Sequence, residues 1–207
     1  MSRPKGGPTT TGFAVLGLLC IQPWSAYELT QQMARSMRYV WPRAVSGIYR
    51  EPQKLVEAGY ASVVETAAGP SRTKLVYAAT PKGRRAFRRW LATPSAPPQF
   101  ESEAMLKFLF ADQGSLDDAM RALAEIAEHG DALMETFREH TSAFAAGEIA
   151  FPDRLHIIAV RGRFIHDYAA ALTEWARWAQ SIVESWPDTS AAAAPLGQRI
   201  IEQNARL

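Results

Sequence analysis

Residues 54–81 read Lys54-Leu55-Val56-Glu57-Ala58-Gly59-Tyr60-Ala61-Ser62-Val63-Val64-Glu65-Thr66-Ala67-Ala68-Gly69-Pro70-Ser71-Arg72-Thr73-Lys74-Leu75-Val76-Tyr77-Ala78-Ala79-Thr80-Pro81. Gly59 stands where a helix ends, because a residue free to adopt positive φ closes the last turn. Ala61–Thr66 and Lys74–Ala79, rich in Val, Leu and Tyr, read as two strands. Between them, Ala67 to Thr73 reads as a turn through Gly69-Pro70. Thr80-Pro81 then supplies an N-cap and a first-turn proline for a helix running through Leu91. The stretch is a helix end, a hairpin and a helix start.

Working towards the N-terminus, the helix that ends at Gly59 runs from about Ala44 to Ala58, with Val45, Ile48, Leu55 and Val56 facing inward. Pro52 lies inside it and leaves the Ile48 carbonyl without its i+4 donor. Either the helix kinks there, or its first turn is separate and regular helix begins at Glu51. Before it, Ser25-Ala26-Tyr27-Glu28 fits a capping box, opening a helix with Leu29 and Met33 on its buried stripe. Pro42 closes that segment after Val40 and Trp41. Earlier still, Thr10 or Thr11 caps a helix carrying Phe13, Leu16 and Cys20 at spacings of 3 and 4. Val15, Leu18 and Leu19 widen its apolar face, which suits a helix in the middle of a small core. Three helices, a hairpin and a helix is the winged helix-turn-helix order.

Charge divides the 207 residues in the same place. Residues 1–92 hold fourteen Lys or Arg against four Glu and no Asp, a balance of +10. The remainder holds nine bases and seventeen acids, a balance of −8. Between the halves, Ala92-Thr93-Pro94-Ser95-Ala96-Pro97-Pro98 cannot continue a helix and favours an extended spacer. The expected organisation is a winged helix-turn-helix over 1–92, a Pro-rich linker over 93–98 and a helical domain over 99–207. A single Cys20 rules out an internal disulfide framework and a multi-cysteine metal site. The apolar run Phe13–Ile21 after Arg3 and Lys5 faintly resembles a signal peptide. It is too short to span a bilayer and bulky Leu19 stands where a lipoprotein signal needs a small residue. No membrane association is expected, and the expected location is the cytoplasm.

A basic module of this kind suits a polyanion, since Lys and Arg neutralising phosphates supply the sequence-independent part of nucleic-acid affinity. A helix-turn-helix lays its second helix, here the third segment, in the major groove of double-stranded DNA. That segment and its approach offer Arg43, Ser46, Tyr49, Arg50, Gln53 and Lys54. Arg suits guanine O6 and N7, and Gln suits adenine N6 and N7. Tyr27, Tyr49 and Ser46 are candidate phosphate donors, while Arg72 and Lys74 near the hairpin tip suit the backbone or minor groove. Arg84, Arg85, Arg88 and Arg89 add field more than contact.

Several stretches together resemble the PadR family of bacterial transcriptional regulators: Val15-Leu16-Gly17-Leu18-Leu19, Ala26-Tyr27-Glu28-Leu29, Ser46-Gly47-Ile48-Tyr49, Lys54-Leu55-Val56-Glu57-Ala58-Gly59-Tyr60 and Tyr77-Ala78-Ala79-Thr80-Pro81-Lys82-Gly83-Arg84. They cover most of residues 10–92 in order. The chain departs from the family pattern at Ala26, usually glycine, and at Arg50 and Pro52, where the family commonly has Pro and Leu. The resemblance implies a mainly α protein with a small β-hairpin, an N-terminal winged helix-turn-helix and a C-terminal α-helical dimerisation domain. It also implies a dimeric repressor whose hold on a palindromic operator responds to a small aromatic or amphipathic effector.

Residues 99–186 look helical almost throughout. Glu103–Ala111 forms one apolar-rich segment, and Ser115-Leu116-Asp117-Asp118 starts another that continues past Gly130 to Phe144. Ile165, Tyr168, Leu172, Trp175, Ala179, Ile182 and Trp186 then recur at alternating spacings of 3 and 4. Such a seam describes a homodimer interface or a core helix packed inside its own subunit. Trp175, Trp178 and Trp186, with Phe164 and Tyr168, are alternatively the lining of an effector pocket. His129, His140, His156 and His166 lack the spacing of a metal-binding pair, and no metal or cofactor is expected. The absence of a nucleophile elbow, P-loop or dinucleotide fingerprint argues against an enzyme. The leading reading is a sequence-specific transcriptional regulator; the alternative is an architectural protein that binds DNA without sequence choice or effector.

Overall fold

The computed structural model of the chain describes residues 7–37, 39–41, 49–67 and 73–206. It divides into two compact units, one ending at Pro97 and the other beginning at Pro98.

In the first unit, α1 (Thr10–Ile21) is capped by Thr9, whose hydroxyl accepts from the Gly12 N–H at 2.9 Å. The cap therefore lies one residue before the expected threonines. Val15, Leu16, Leu18 and Leu19 are buried, so α1 is the central helix its apolar sequence demands. After it, β1 (Trp24–Ser25) leads into α2 (Ala26–Ser36). The capping box of α2 is complete: Ser25 receives the Glu28 N–H, and the Glu28 carboxylate accepts from the Ser25 N–H at 2.8 Å. Helix α2 stops at Ser36, short of the expected Trp41; the Met37 N–H bonds to the Met33 carbonyl, and the Val40 and Trp41 N–H groups to that of Met37. The Trp41 indole N–H then reaches the Thr11 hydroxyl at 3.2 Å.

Helix α3 spans Glu51–Glu57. Tyr49 and Arg50 form a turn and regular helix begins at Glu51, the second of the two alternatives that Pro52 left open. Beginning at Glu51 puts Pro52 in the first turn, where a missing N–H costs nothing. The earlier part of the expected helix, with Val45 and Ile48, lies outside the described residues. Past Ala58, Gly59 takes φ +71°, with Gly59 N–H bonded to the Val56 carbonyl and Tyr60 N–H to that of Leu55. This is a Schellman close, for which glycine is the natural residue.

Strands β2 (Ala61–Ala67) and β3 (Thr73–Ala79) pair antiparallel, Ala61 opposite Ala79 and Ala67 opposite Thr73. β1 adds to the other edge of β3, Trp24 opposite Tyr77, giving the order β1-β3-β2. Helix α4 (Pro81–Leu91) follows, capped by Thr80. Its Gly83 is sterically required, because a Cβ would fall on the Tyr60 carbonyl oxygen. Helix α4 lies on α1, where Phe13 and Trp90 stack 4.9 Å apart and Phe87 covers Gly17.

In the second unit, α5 (Glu103–Leu109) ends in a 3₁₀ turn at Ala111–Gln113, shorter than expected. Helix α6 (Leu116–Ala145) opens on a second complete capping box, Ser115 with Asp118. Helix α7 (Leu155–Val183) runs antiparallel to it, placing Thr173 beside Ala127 and His166 beside Phe137. The two approach closely at Gly130, where a Cβ would strike the Thr173 hydroxyl. Asp131 closes the contact, taking the Arg177 guanidinium at 2.9 Å. Because α7 ends at Val183, Trp186 follows a turn and does not continue the helical stripe expected of it. A final helix, α8 (Ala194–Asn204), was not expected from the sequence pattern and buries none of its residues.

Candidate nucleic-acid interface

The helix-turn-helix elements bring part of the expected contact set to the surface. Tyr27, in the first turn of α2, is 69% exposed, and Tyr49, just before α3, is 70% exposed. Two tyrosines left so open are not packing residues; their hydroxyls are available as phosphate donors. Arg50, Gln53 and Lys54 are exposed at the start of α3, while Leu55 faces inward at 2% exposure. Arg43, Ser46 and Arg72 lie outside the described residues.

Two of the expected cations are already paired with acids. The Lys74 ammonium, near the tip end of β3, meets Glu28 at 3.1 Å, tying the hairpin to the first turn of α2. Glu28 is held at a pKa of about 2, first by the Ser25 N–H, then by the Ser25 hydroxyl and Lys74. The Lys54 ammonium meets Glu51 at 2.7 Å. The sequence marks Glu28 as a capping-box acid but gives no sign of its partner Lys74, and as a charge Glu51 enters there only in the acid count. The available signal for Glu51 is local: it stands three residues before Lys54.

Lys82 and Arg84 serve the fold. Lys82 donates to the Ala58 carbonyl at 2.7 Å and covers the Tyr60 ring at 4.8 Å. Arg84 donates to the Cys20 carbonyl at 2.7 Å. Arg85, Arg88 and Arg89 are exposed along α4.

In the helical unit, the expected seam divides. Ile165 and Ala179 are buried, and Leu172, Trp175 and Trp186 pack against the core formed with α6. Phe108 of α5 meets Trp175 edge-on at 6.4 Å and Trp186 at 6.5 Å. Tyr168 and Ile182 are half-buried. Ile157, Val160, Phe164 and Trp178 are exposed on α7, Val160 at 75% and Phe164 at 61%. Phe164 stacks on Tyr168 with ring centres 6.5 Å apart. An open, mainly apolar groove of about 530 Å³ lies along α5, lined by Phe100, Ser102, Met105, Leu106, Phe108 and Leu109. Among the described residues no cluster of His, Cys, Asp or Glu is arranged to hold a metal ion, and no helix is long and apolar enough to cross a membrane.

A winged helix with exposed phenols and cations around its second and third helices, followed by a separate helical unit, defines the class: a two-unit winged-helix protein. No family model matches the chain. In sequence it is 30% identical over 99 residues to the negative transcriptional regulator PadR of Bacillus subtilis (strain 168), a match covering 47% of this chain and 54% of that protein. The chain thus matches about half the length of its curated relatives. In fold it is similar to B. subtilis PadR in complex with operator DNA, with a TM-score of 0.71 at 21% identity, over 84% of this chain and 99% of that one. It is also similar to B. subtilis PadR in complex with p-coumaric acid, with a TM-score of 0.64 at 21% identity, over 86% and 100% of the two chains. The resemblance is therefore matched in sequence, over 99 residues, by a PadR regulator, and the fold is shared with PadR structures.

Proposed function

We propose that this chain is a DNA-binding transcriptional repressor that works as a homodimer and responds to a small ligand. The observation that carries the reading is the exposure of Tyr27 on α2, of Tyr49 and Arg50 in the turn before α3 and of Gln53 on α3, within a unit whose sequence balance is +10. Phosphate contacts supply most of the affinity, and α3 with its approach reads base edges. Residues 1–92 grip DNA, 93–98 space the units and 99–207 pair subunits and hold the effector. The related PadR structures, one with operator DNA and one with p-coumaric acid, support both halves of this reading. It assigns the chain to regulation, not catalysis, and to the cytoplasm.

Pairing uses α7 around Tyr168 and Ile182, continued by the exposed Ile157, Val160, Phe164 and Trp178. An apolar stripe of that length is costly to leave in water. Two subunits joined there present recognition helices to half-sites about 34–36 Å apart. Ligands suited to the groove along α5 are small, aromatic or amphipathic.

Footprinting on the promoter upstream of the chain's own gene tests the reading. A discrete two-fold site, bound with an affinity that falls steeply with salt, is expected. Uniform protection without a preferred site supports the architectural alternative. Phe164→Ser is expected to shift the sedimenting species towards monomer and to weaken operator binding; an unchanged dimer removes α7 from the interface.

A further inference from the structure

Of the four glutamates in the winged unit, Glu51 is the buried one, 7% exposed at the first position of α3. A carboxylate taken out of water needs compensation. Lys54 supplies a charge at 2.7 Å from Oε1, and the Thr9 hydroxyl approaches Oε2 at 3.5 Å. Thr9 is also the N-cap of α1, so the carboxylate stands beside the open end of that helix, where unpaired N–H groups leave a partial positive charge. Gly12 measures how closely: a Cβ there would lie 2.9 Å from Oε2. Glu51 is therefore wedged between the first turns of α1 and α3, while Arg50, Gln53 and Lys54 beside it are exposed.

We propose that Glu51 is a positioning residue for sequence readout: it touches no base, but its wedge against Thr9 and Gly12 fixes the pose of α3, and its hold on Lys54 keeps that ammonium from serving as a free phosphate anchor. The inference rests on α3 being the recognition element. It follows from the local chemistry that readout and grip are traded against each other at this one residue. A fixed α3 favours the matched sequence, and a restrained Lys54 limits attraction to every sequence alike.

The test uses the full-length protein and a duplex selected by it from a random-sequence pool, titrated beside a scrambled duplex of equal length. Glu51→Gln keeps the shape and removes the charge. It is expected to weaken binding to the selected duplex about tenfold or more, while binding to the scrambled duplex holds or tightens and the salt slope steepens by about one counterion. Gly12→Ala leaves every charge in place and crowds Oε2. It is expected to lower the ratio of selected to scrambled affinity with the salt slope unchanged. A purely structural Glu51 would lower the melting temperature and leave the ratio intact, and that result in both variants overturns the proposal. If Glu51→Gln does not fold, Gly12→Ala decides alone. A wild-type protein that selects no preferred duplex instead overturns the reading of α3 itself.

Discussion

In the winged unit the buried side chains are large: Val15, Leu16, Leu18 and Leu19 on α1 meet Leu29 and Met33 of α2 and Leu55 of α3. In the helical unit, α6 and α7 bury Leu123, Ile126, Leu133, Ile165 and Val183 among many small residues, such as Ala122, Ala127, Gly130, Ala169, Ala176 and Ala179. Small residues let backbones approach but bury little apolar area each. Phe164 and Trp178 of α7 remain outside, while Ile165 and Val183 are buried and Leu172 and Trp175 pack against the core. The winged unit leaves Val63, Val64 and Leu75 of its hairpin exposed, and the helical unit leaves Ile157, Val160, Phe164 and Trp178 along α7.

The strongest way to break this contrast is to empty one core. Leu16→Ala, at a fully buried site, is expected to cost about 2–5 kcal/mol, read by denaturant unfolding, and to leave the far-ultraviolet signal of α6 and α7 in place. Loss of both units together would show that their cores are not separate. Next in size are the two crowded glycines. Gly83→Ala and Gly130→Ala are each expected to cost about 1–3 kcal/mol. Gly83 should cost more, because its neighbour is the fixed Tyr60 carbonyl, whereas the nearest atom to Gly130 is a rotatable Thr173 hydroxyl. Thermal melts of the two variants check the order; the reverse ranking would mean that the α6–α7 contact is the stiffer one.

Smaller still are the capping boxes. Both Glu28 and Asp118 have lowered pKa values, each through its own N-cap serine, and Glu28 is at about 2. A depressed carboxylate contributes stability that is present above its unfolded value and lost as pH falls through the folded one. For Glu28 that window runs from its ordinary 4.5 down to about 2. Glu28→Gln should therefore flatten the acid limb of stability, by less than about 1 kcal/mol given the group's exposure, and leave neutral-pH DNA binding with Lys74 freed. An acid limb unchanged by the substitution would remove Glu28 from the account. The smallest effect is expected from Arg138→Ala, which breaks an exposed pair with Glu135 at 3.1 Å, at no more than about 0.5 kcal/mol in a chemical melt. A larger loss would give the outer face of α6 a packing role that its exposure does not suggest.

Where local chemistry is self-sufficient, the sequence is readable. Ser25 with Glu28, Gly59 and Thr80-Pro81 each signal their element through a few neighbouring residues, and each stands where expected. The misses have a common cause. Two residues, Trp24 and Ser25, show no periodicity and become a strand only because β3 offers an edge. Helix α8 has too few apolar residues for a stripe. The seam on α7 mixed two faces, since residues at spacings of 3 and 4 describe both the side turned to α6 and the one beside it. Of the candidate DNA contacts, exposure at Tyr27, Tyr49, Arg50 and Gln53 was legible from their polarity and place. The pairing of Lys74 was not, because its acid lies on α2, whereas that of Lys54 with Glu51 was open to view in their spacing of three.

The missing side chain at position 12 carries a consequence for descent. A lineage that gains a methyl group there displaces the carboxylate at 51 from its present place, 2.9 Å from where that methyl would stand. The two positions, remote along the chain, are expected to drift as a pair, and relatives keeping glycine at the first should be the ones that retain a long acidic residue at the second.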